Sequence, residues 1–207
     1  MINKRDIIEK SAKLFKIFGI KSNTMDDIAR EIGISKKTLY QHVADKKELI
    51  QLVIDDEQQK NESQILSIKE NSENEIEELI RINVLIIKFL QNINPAGIND
   101  LRKHFKQVYE KAKASYQELF SIAIKENLKM GKNNKIYRPD LNEELITQIH
   151  ISRIDKIHDA NDLWGVNAST PELIKEMTNY YIRGLITTQG EILLNKYIVE
   201  FNKYLNE

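Results

Sequence analysis

Apolar residues recur along this chain at the spacing of one face of an α-helix, and most glycines and prolines fall between the stretches that keep it. Ile7, Ile8, Leu14, Phe15 and Phe18 mark a first helix that ends at Gly19. Met25, Ile28, Ala29 and Ile32 form an i, i+3, i+4, i+7 stripe. That stripe predicts a second helix with Thr24 as N-cap, Asp27 at the capping-box position and Gly33 as its stop. Gly33, Ile34 and Ser35 then separate it from a third helix, which Ser35 caps and which Ile34 and Leu39 staple. Asp45 followed by Glu48 repeats the capping logic for a fourth, longer helix through Leu49, Leu52 and Val53. Further helices are expected over roughly 74–93, 98–130, 141–160, 171–189 and 191–205. No run of strict alternation competes, so the fold class is all-α, with about nine helices.

Two short helices joined by a three-residue turn containing glycine, with another helix ahead of them, form the arrangement that presents the second of the pair to a DNA major groove. The chemistry of the third helix fits that use. Leu39 and Val43 share one face and would pack inward on Phe15, Ile28 and Ile32. Lys36, Lys37, Thr38, Tyr40, Gln41 and His42 occupy the remaining arc, and these are residue types that contact phosphates and base edges. A capped helical hairpin with a solvated polar face is the alternative.

Charge supports the first reading at one end only. The whole chain balances 31 Lys and Arg against 31 Asp and Glu. Residues 1–50 carry 11 basic against 7 acidic side chains, net +4, which leaves 20 against 24, net −4, in the rest. The absence of cysteine excludes a disulfide framework, a thiolate metal site and a cysteine nucleophile, and fits the reducing cytoplasm, where the protein is expected. The first residues lack an uninterrupted apolar block, so no secretory signal is read and the mature chain is expected to start near Met1. Ile82–Leu90, the most apolar stretch, is broken by Lys88 and falls short of the ~20 residues of a membrane span.

The run from Gly19 to Leu49 resembles the DNA-binding domain of the TetR family of bacterial transcriptional regulators. The resemblance lies in the glycine-apolar opening, Thr24-Met25 followed by Ile28-Ala29, the Gly33-Ile34-Ser35 turn, Thr38-Leu39-Tyr40 with His42, and Lys46 with Glu48-Leu49. It covers about a quarter of the chain and is dense. It implies phosphate contacts from Thr24, Tyr40, His42 and Lys46, and base reading by Lys36, Lys37, Thr38 and Gln41. Two positions depart from the family pattern. Lys37 stands where a small residue is common, which exchanges close backbone approach for a cation, and Val43 stands where phenylalanine is commoner.

The same resemblance implies a helix-turn-helix DNA-binding domain over residues 1–48 and a helical ligand-binding and dimerisation domain over 49–207. It implies a homodimer, because one recognition helix reads a half-site and two must stand about 34–36 Å apart. The interface would come from the last helices, with Tyr181, Gly184, Leu185 and Thr188 as candidates. Occupancy of the body by a small-molecule effector would shift the fourth helix and so the spacing of the two heads. Phe105, Tyr109, Tyr116 and Phe120 follow one helical stripe, which Phe89, Trp164 and Tyr180 extend as candidate ligand lining. Such a stripe is also ordinary bundle core.

The expected function is therefore a homodimeric, sequence-specific transcriptional regulator, taken as a repressor, that binds a palindromic operator under control of a ligand. A helical binding module with only non-specific or vestigial DNA contact is the alternative. His150 and His158, with Asp155, Asp159 and Asp162, are too loosely spaced for a metal site, so no metal and no cofactor is expected. No phosphate-binding glycine loop or nucleophile elbow occurs, so an enzyme is not expected.

Overall fold

The computed structural model describes residues 2–92, 94–159 and 171–206. Asp162 and Trp164 lie outside them. The helices are α1 (Lys4–Phe18), α2 (Met25–Ile32), α3 (Lys36–His42), α4 (Lys46–Asn71), α5 (Glu75–Asn92) and α6 (Pro95–His104). They continue with α7 (Lys106–Asn133), α8 (Glu143–Asp159), α9 (Pro171–Arg183), α10 (Thr188–Tyr197) and, after a short 3₁₀ turn, α11 (Phe201–Asn206). The all-α architecture is the one the apolar spacing predicts. Among the described residues, β-type pairing is confined to an isolated antiparallel bridge between Tyr137 and Ile186. No helix among them is long and apolar enough to cross a membrane.

Eleven α-helices are present among the described residues, against about nine expected, because two of the expected stretches are divided. The stretch expected over 98–130 starts earlier and is broken. Asn94 Oδ1 accepts from the amides of Ala96 (2.8 Å) and Gly97 (3.3 Å), so Pro95 opens α6 as its first residue. Phe105 leaves helical geometry (φ −134°, ψ 44°) and separates α6 from α7. The helix expected over 171–189 stops at Arg183, because residues 184–187 turn so that Ile186 pairs with Tyr137. The 3₁₀ turn at Ile198–Glu200 divides the last stretch in the same way.

The chain divides into two compact units. The first holds the residues up to Glu62 together with Asn92–Tyr116. Ile7, Ile28 and Leu39, each fully buried, draw α1, α2 and α3 onto one core, which Leu49 of α4, Leu101 of α6 and Val108 of α7 extend. Each early helix starts where its cap dictates. Asn3 and Asp6 form a capping box on α1, Thr24 and Asp27 one on α2, and Ser35 Oγ accepts from Thr38 N on α3. Gly33 closes α2 in the left-handed region (φ 83°), its N–H returning to the carbonyls of Ala29 and Arg30. Asp45 Oδ1 accepts from Glu48 N (2.8 Å), while Glu48 returns its carboxylate to Ala44 N (2.6 Å).

The second unit holds Ser63–Gln91 and the described residues from Gln117 onward. Its α5 is apolar on nearly every side, with Ile76, Leu79 and Ile80 fully buried. One buried polar cluster is satisfied internally. The Tyr137 hydroxyl lies 2.7 Å from Asn127 Oδ1, to which it donates, and 3.0 Å from the Glu75 carbonyl. Asn127 Nδ2 donates to that same carbonyl (3.0 Å). Burial pushes the Tyr137 hydroxyl far above its ordinary pKa, so it stays a donor.

Candidate nucleic-acid interface

The α2–turn–α3 pair is held from inside by apolar side chains and leaves a polar arc outside. Leu39 and Val43 are buried, as their spacing requires, and Ile34 packs on the same core. On the outer arc Lys36, Lys37, Tyr40 and Gln41 are exposed, and Thr38 and His42 are half-buried. Thr24 is also exposed, at the start of α2. The structure thus brings all eight sequence-derived DNA contacts into the first unit, six of them on α3, with Thr24 at the start of α2 and Lys46 at the start of α4.

Their present partners differ. Lys36 Nζ lies 2.8 Å from Asp26 Oδ2, and that bond raises the lysine above its ordinary pKa. The pair is exposed on both sides, so it stabilises the turn only slightly. Thr38 Oγ1 shares a 2.8 Å hydrogen bond with Ser35 Oγ. The Thr24 hydroxyl donates to Asp27 Oδ2 (2.6 Å), and this bond is the main reason that carboxyl lies below its usual range. Lys37 and Gln41 make no hydrogen bond or ion pair with other described residues, which leaves both side chains available to a groove.

Lys46 is the most constrained of the set. Its ammonium donates to the Asn23 carbonyl (2.5 Å) and lies 3.5 Å from the Lys21 carbonyl. Burial draws its pKa below the ordinary lysine value, and Asp100 and Asp27 oppose that shift. Three residues of this region escaped the sequence reading. Asp26 was legible as an acidic first-turn residue ten positions ahead of Lys36. Buried Asn23, whose Nδ2 donates to the Gly19 carbonyl (2.7 Å), and Asp100 of α6 carry no local signal.

The described candidates for ligand lining are distributed over both units. Phe105 and Tyr109 pack against the core of α1–α3, and the Arg102 guanidinium stands 5.5 Å from the Tyr109 ring centre. Tyr116 belongs to the first unit as well, where burial raises its hydroxyl pKa and Asn61 hydrogen-bonds to it. Phe89, Phe120 and Tyr180 belong to the second unit, where Phe120 is buried and Tyr180 is 85% exposed.

Among the candidate dimer residues, Gly184 and Thr188 are exposed and Tyr181 stacks edge-on against His150 at 4.8 Å. Leu185 is buried in its own unit rather than presented on a helix face, because it lies in the turn that follows α9. The exposed apolar side chains in this region are others. Leu145 and Ile149, one turn apart on α8, are 55% and 56% exposed, and Ile192 of α10 is also exposed. Their i, i+4 spacing was a signal the sequence offered.

Residues 7–53 match the family model described as bacterial regulatory proteins, tetR family. The HTH-type transcriptional regulator SAB2452 of Staphylococcus aureus (strain bovine RF122 / ET3-1) is 31% identical over 124 residues, 57% of this chain and 67% of that protein. The HTH-type transcriptional regulator YvaF of Bacillus subtilis (strain 168) is 24% identical over 86% of this chain and 93% of its own. A gamma-butyrolactone receptor (ArpA-like protein) shares the fold, with a TM-score of 0.71 at 16% identity, over 98% of this chain and 96% of that one.

Proposed function

Because the chain belongs to the tetR family of bacterial regulatory proteins, we propose that it acts as a cytoplasmic, homodimeric repressor whose hold on a palindromic operator is set by a small-molecule effector. Residues 1–48 form the DNA-binding head in this reading, and residues 49–207 take the ligand and the second subunit. The observation that carries it is the exposed arc of α3, on which Lys37 and Gln41 stand without partners among the described residues, on a helix fixed by buried Leu39 and the Ser35 cap. Lys36, Lys37, Thr38 and Gln41 read bases, while Thr24, Tyr40, His42 and Lys46 meet phosphates and set the register. The gamma-butyrolactone receptor that shares the fold supports a small-molecule effector of some kind.

Selection of genomic fragments with the purified protein at about 0.15 M salt tests the reading, since non-specific affinity is low at that concentration. Enrichment of one palindromic site is the expected result. Recovery of nothing above random DNA, before and after stripping of bound small molecules, would leave the helical binding module as the better account. On the enriched site, Lys37→Ala and Gln41→Ala are expected to cost about 1–3 kcal/mol and to relax base preference. Tyr40→Phe is expected to weaken all sequences alike. Equal losses on operator and random duplexes for Lys37 and Gln41 would remove the base-reading assignment.

Leu145, Ile149 and Tyr180, together with Tyr181, Gly184 and Thr188, are proposed to meet the second subunit across a two-fold axis. Apolar side chains exposed at this level are natural anchors for an isologous interface. Ile149→Glu is expected to raise the dimer dissociation constant about tenfold, because it places a charge at the apolar contact. Sedimentation analysis measures this, and an unchanged dimer would move the interface elsewhere.

A further inference from the structure

The loop between α1 and α2 is gripped by opposite charges. The Asp100 carboxylate of α6 accepts hydrogen bonds from the amides of Ile20 (3.2 Å) and Lys21 (2.8 Å) through the same oxygen. The Lys46 ammonium faces the carbonyls of Lys21 and Asn23. The amides of the loop thus meet an anion and its carbonyls a cation, and each bond is charge-assisted.

Two further features show that the grip is built into the chain. Gly19, which begins the loop, has φ 79° and ψ 177°, a region essentially reserved for glycine. A methyl group there would stand 3.4 Å from Asp100 Oδ2, which is van der Waals contact, so it is the backbone conformation that calls for glycine. At the other end of α6, Asn94 Nδ2 donates to the Lys16 carbonyl near the end of α1 (2.9 Å). The helix is therefore fastened to the end of α1 and to the loop, through residues about 80 positions away in sequence.

We propose that Asp100 is a positioning residue for DNA binding, because it fixes the loop that delivers Thr24 to the start of α2 and that Lys46 braces from the other side. The role rests on the DNA-binding reading above. Asp100 itself carries the wrong sign to meet a phosphate, which gives the proposal a sharp test. As a charge alone, Asp100 repels DNA, so removing it would raise affinity. As a positioning group its removal lowers affinity.

The test compares Asp100→Ala and Asp100→Asn in the full-length protein, on the palindrome recovered by fragment selection and on a scrambled duplex of equal length. Asp100→Ala is expected to bind the palindrome about tenfold more weakly. Asp100→Asn keeps an acceptor oxygen without the charge, and is expected to stay within about threefold of the parent. Hydrogen exchange provides the readout that needs no DNA. The amides of Ile20 and Lys21 should exchange about tenfold faster or more in Asp100→Ala, with the exchange of α2 and α3 unchanged. Equal or tighter binding by both variants would overturn the proposal in favour of simple repulsion. Unchanged exchange at Ile20 and Lys21 would overturn it outright. A parent protein that does not distinguish the two duplexes would instead remove the DNA-binding reading, and the exchange result still decides whether Asp100 fixes the loop.

Discussion

Raising the salt from about 50 mM to about 200 mM is expected to weaken operator binding by about 10²–10³. The range follows from the lysines of the interface. Lys37, at the bases it reads, and Lys46, at its phosphate, bring about four cations from two heads against the duplex, and each counterion so displaced contributes about −0.9 to the slope of log affinity on log salt. Lys36 adds to this only if it leaves Asp26, which holds it at 2.8 Å. The slope therefore runs from about −3.6, with that pair intact, to about −5.4, with both Lys36 side chains transferred to DNA. Asp26→Asn frees Lys36 without touching the other cations. It should steepen the slope if the pair is intact in the complex and leave it alone if the pair has already opened. Lys46→Met should flatten the slope by about one for each head, since an ammonium has a third N–H left for a phosphate beyond the two loop carbonyls. Titrations at four or five salt concentrations measure all three, and a slope near zero for the parent protein would contradict phosphate-anchored binding.

How much of this was legible in the sequence depends on the distance between the interacting groups. Thr24 with Asp27, Ser35 with Thr38, and Gly33 with the carbonyls of Ala29 and Arg30 all act within a few residues. Local signals of that kind survive without tertiary information, and so the caps of α2 and α3 and the stop at Gly33 were readable to the residue. The break at Phe105 carries neither glycine nor proline. It exists because Phe105 packs on the core of the first unit, a contact that helical periodicity does not encode. Periodicity likewise does not tell that Tyr109 packs on that core. The end of α9 has Gly184 as a marker, yet the reason the chain turns there is the pairing of Ile186 with Tyr137, across about fifty residues. Asp100 is the extreme case. A carboxylate on a polar helix has no sequence signature that tells a solvated group from one holding two backbone amides 80 residues away.

Replacing Gly131 with alanine is expected to destabilise the second unit by about 3 kcal/mol or more. Local reasoning predicts the opposite sign. Gly131 lies inside α7, where alanine is favoured over glycine by up to about 1 kcal/mol. The added methyl group would, however, stand 2.2 Å and 2.3 Å from Cδ2 and Cε2 of Tyr137. That ring is fully buried, and its hydroxyl is held at Asn127 and at the Glu75 carbonyl, so it has neither free space nor free rotation by which to retreat. Relief requires breaking this polar cluster or moving α7 from the segment that follows it. Denaturation in urea followed by circular dichroism measures the change, and an alanine variant as stable as the parent would show that the close approach is not a constraint. Tyr137→Ala in the Gly131→Ala background gives the internal control. The double variant should lose less than the two single losses added together, because the clash is counted only once. The functional consequence follows from where the dimer is proposed to form. If α8 and α9 carry the interface, Gly131→Ala should cost operator binding through loss of the second half-site. Binding of the remaining head to random DNA should change little.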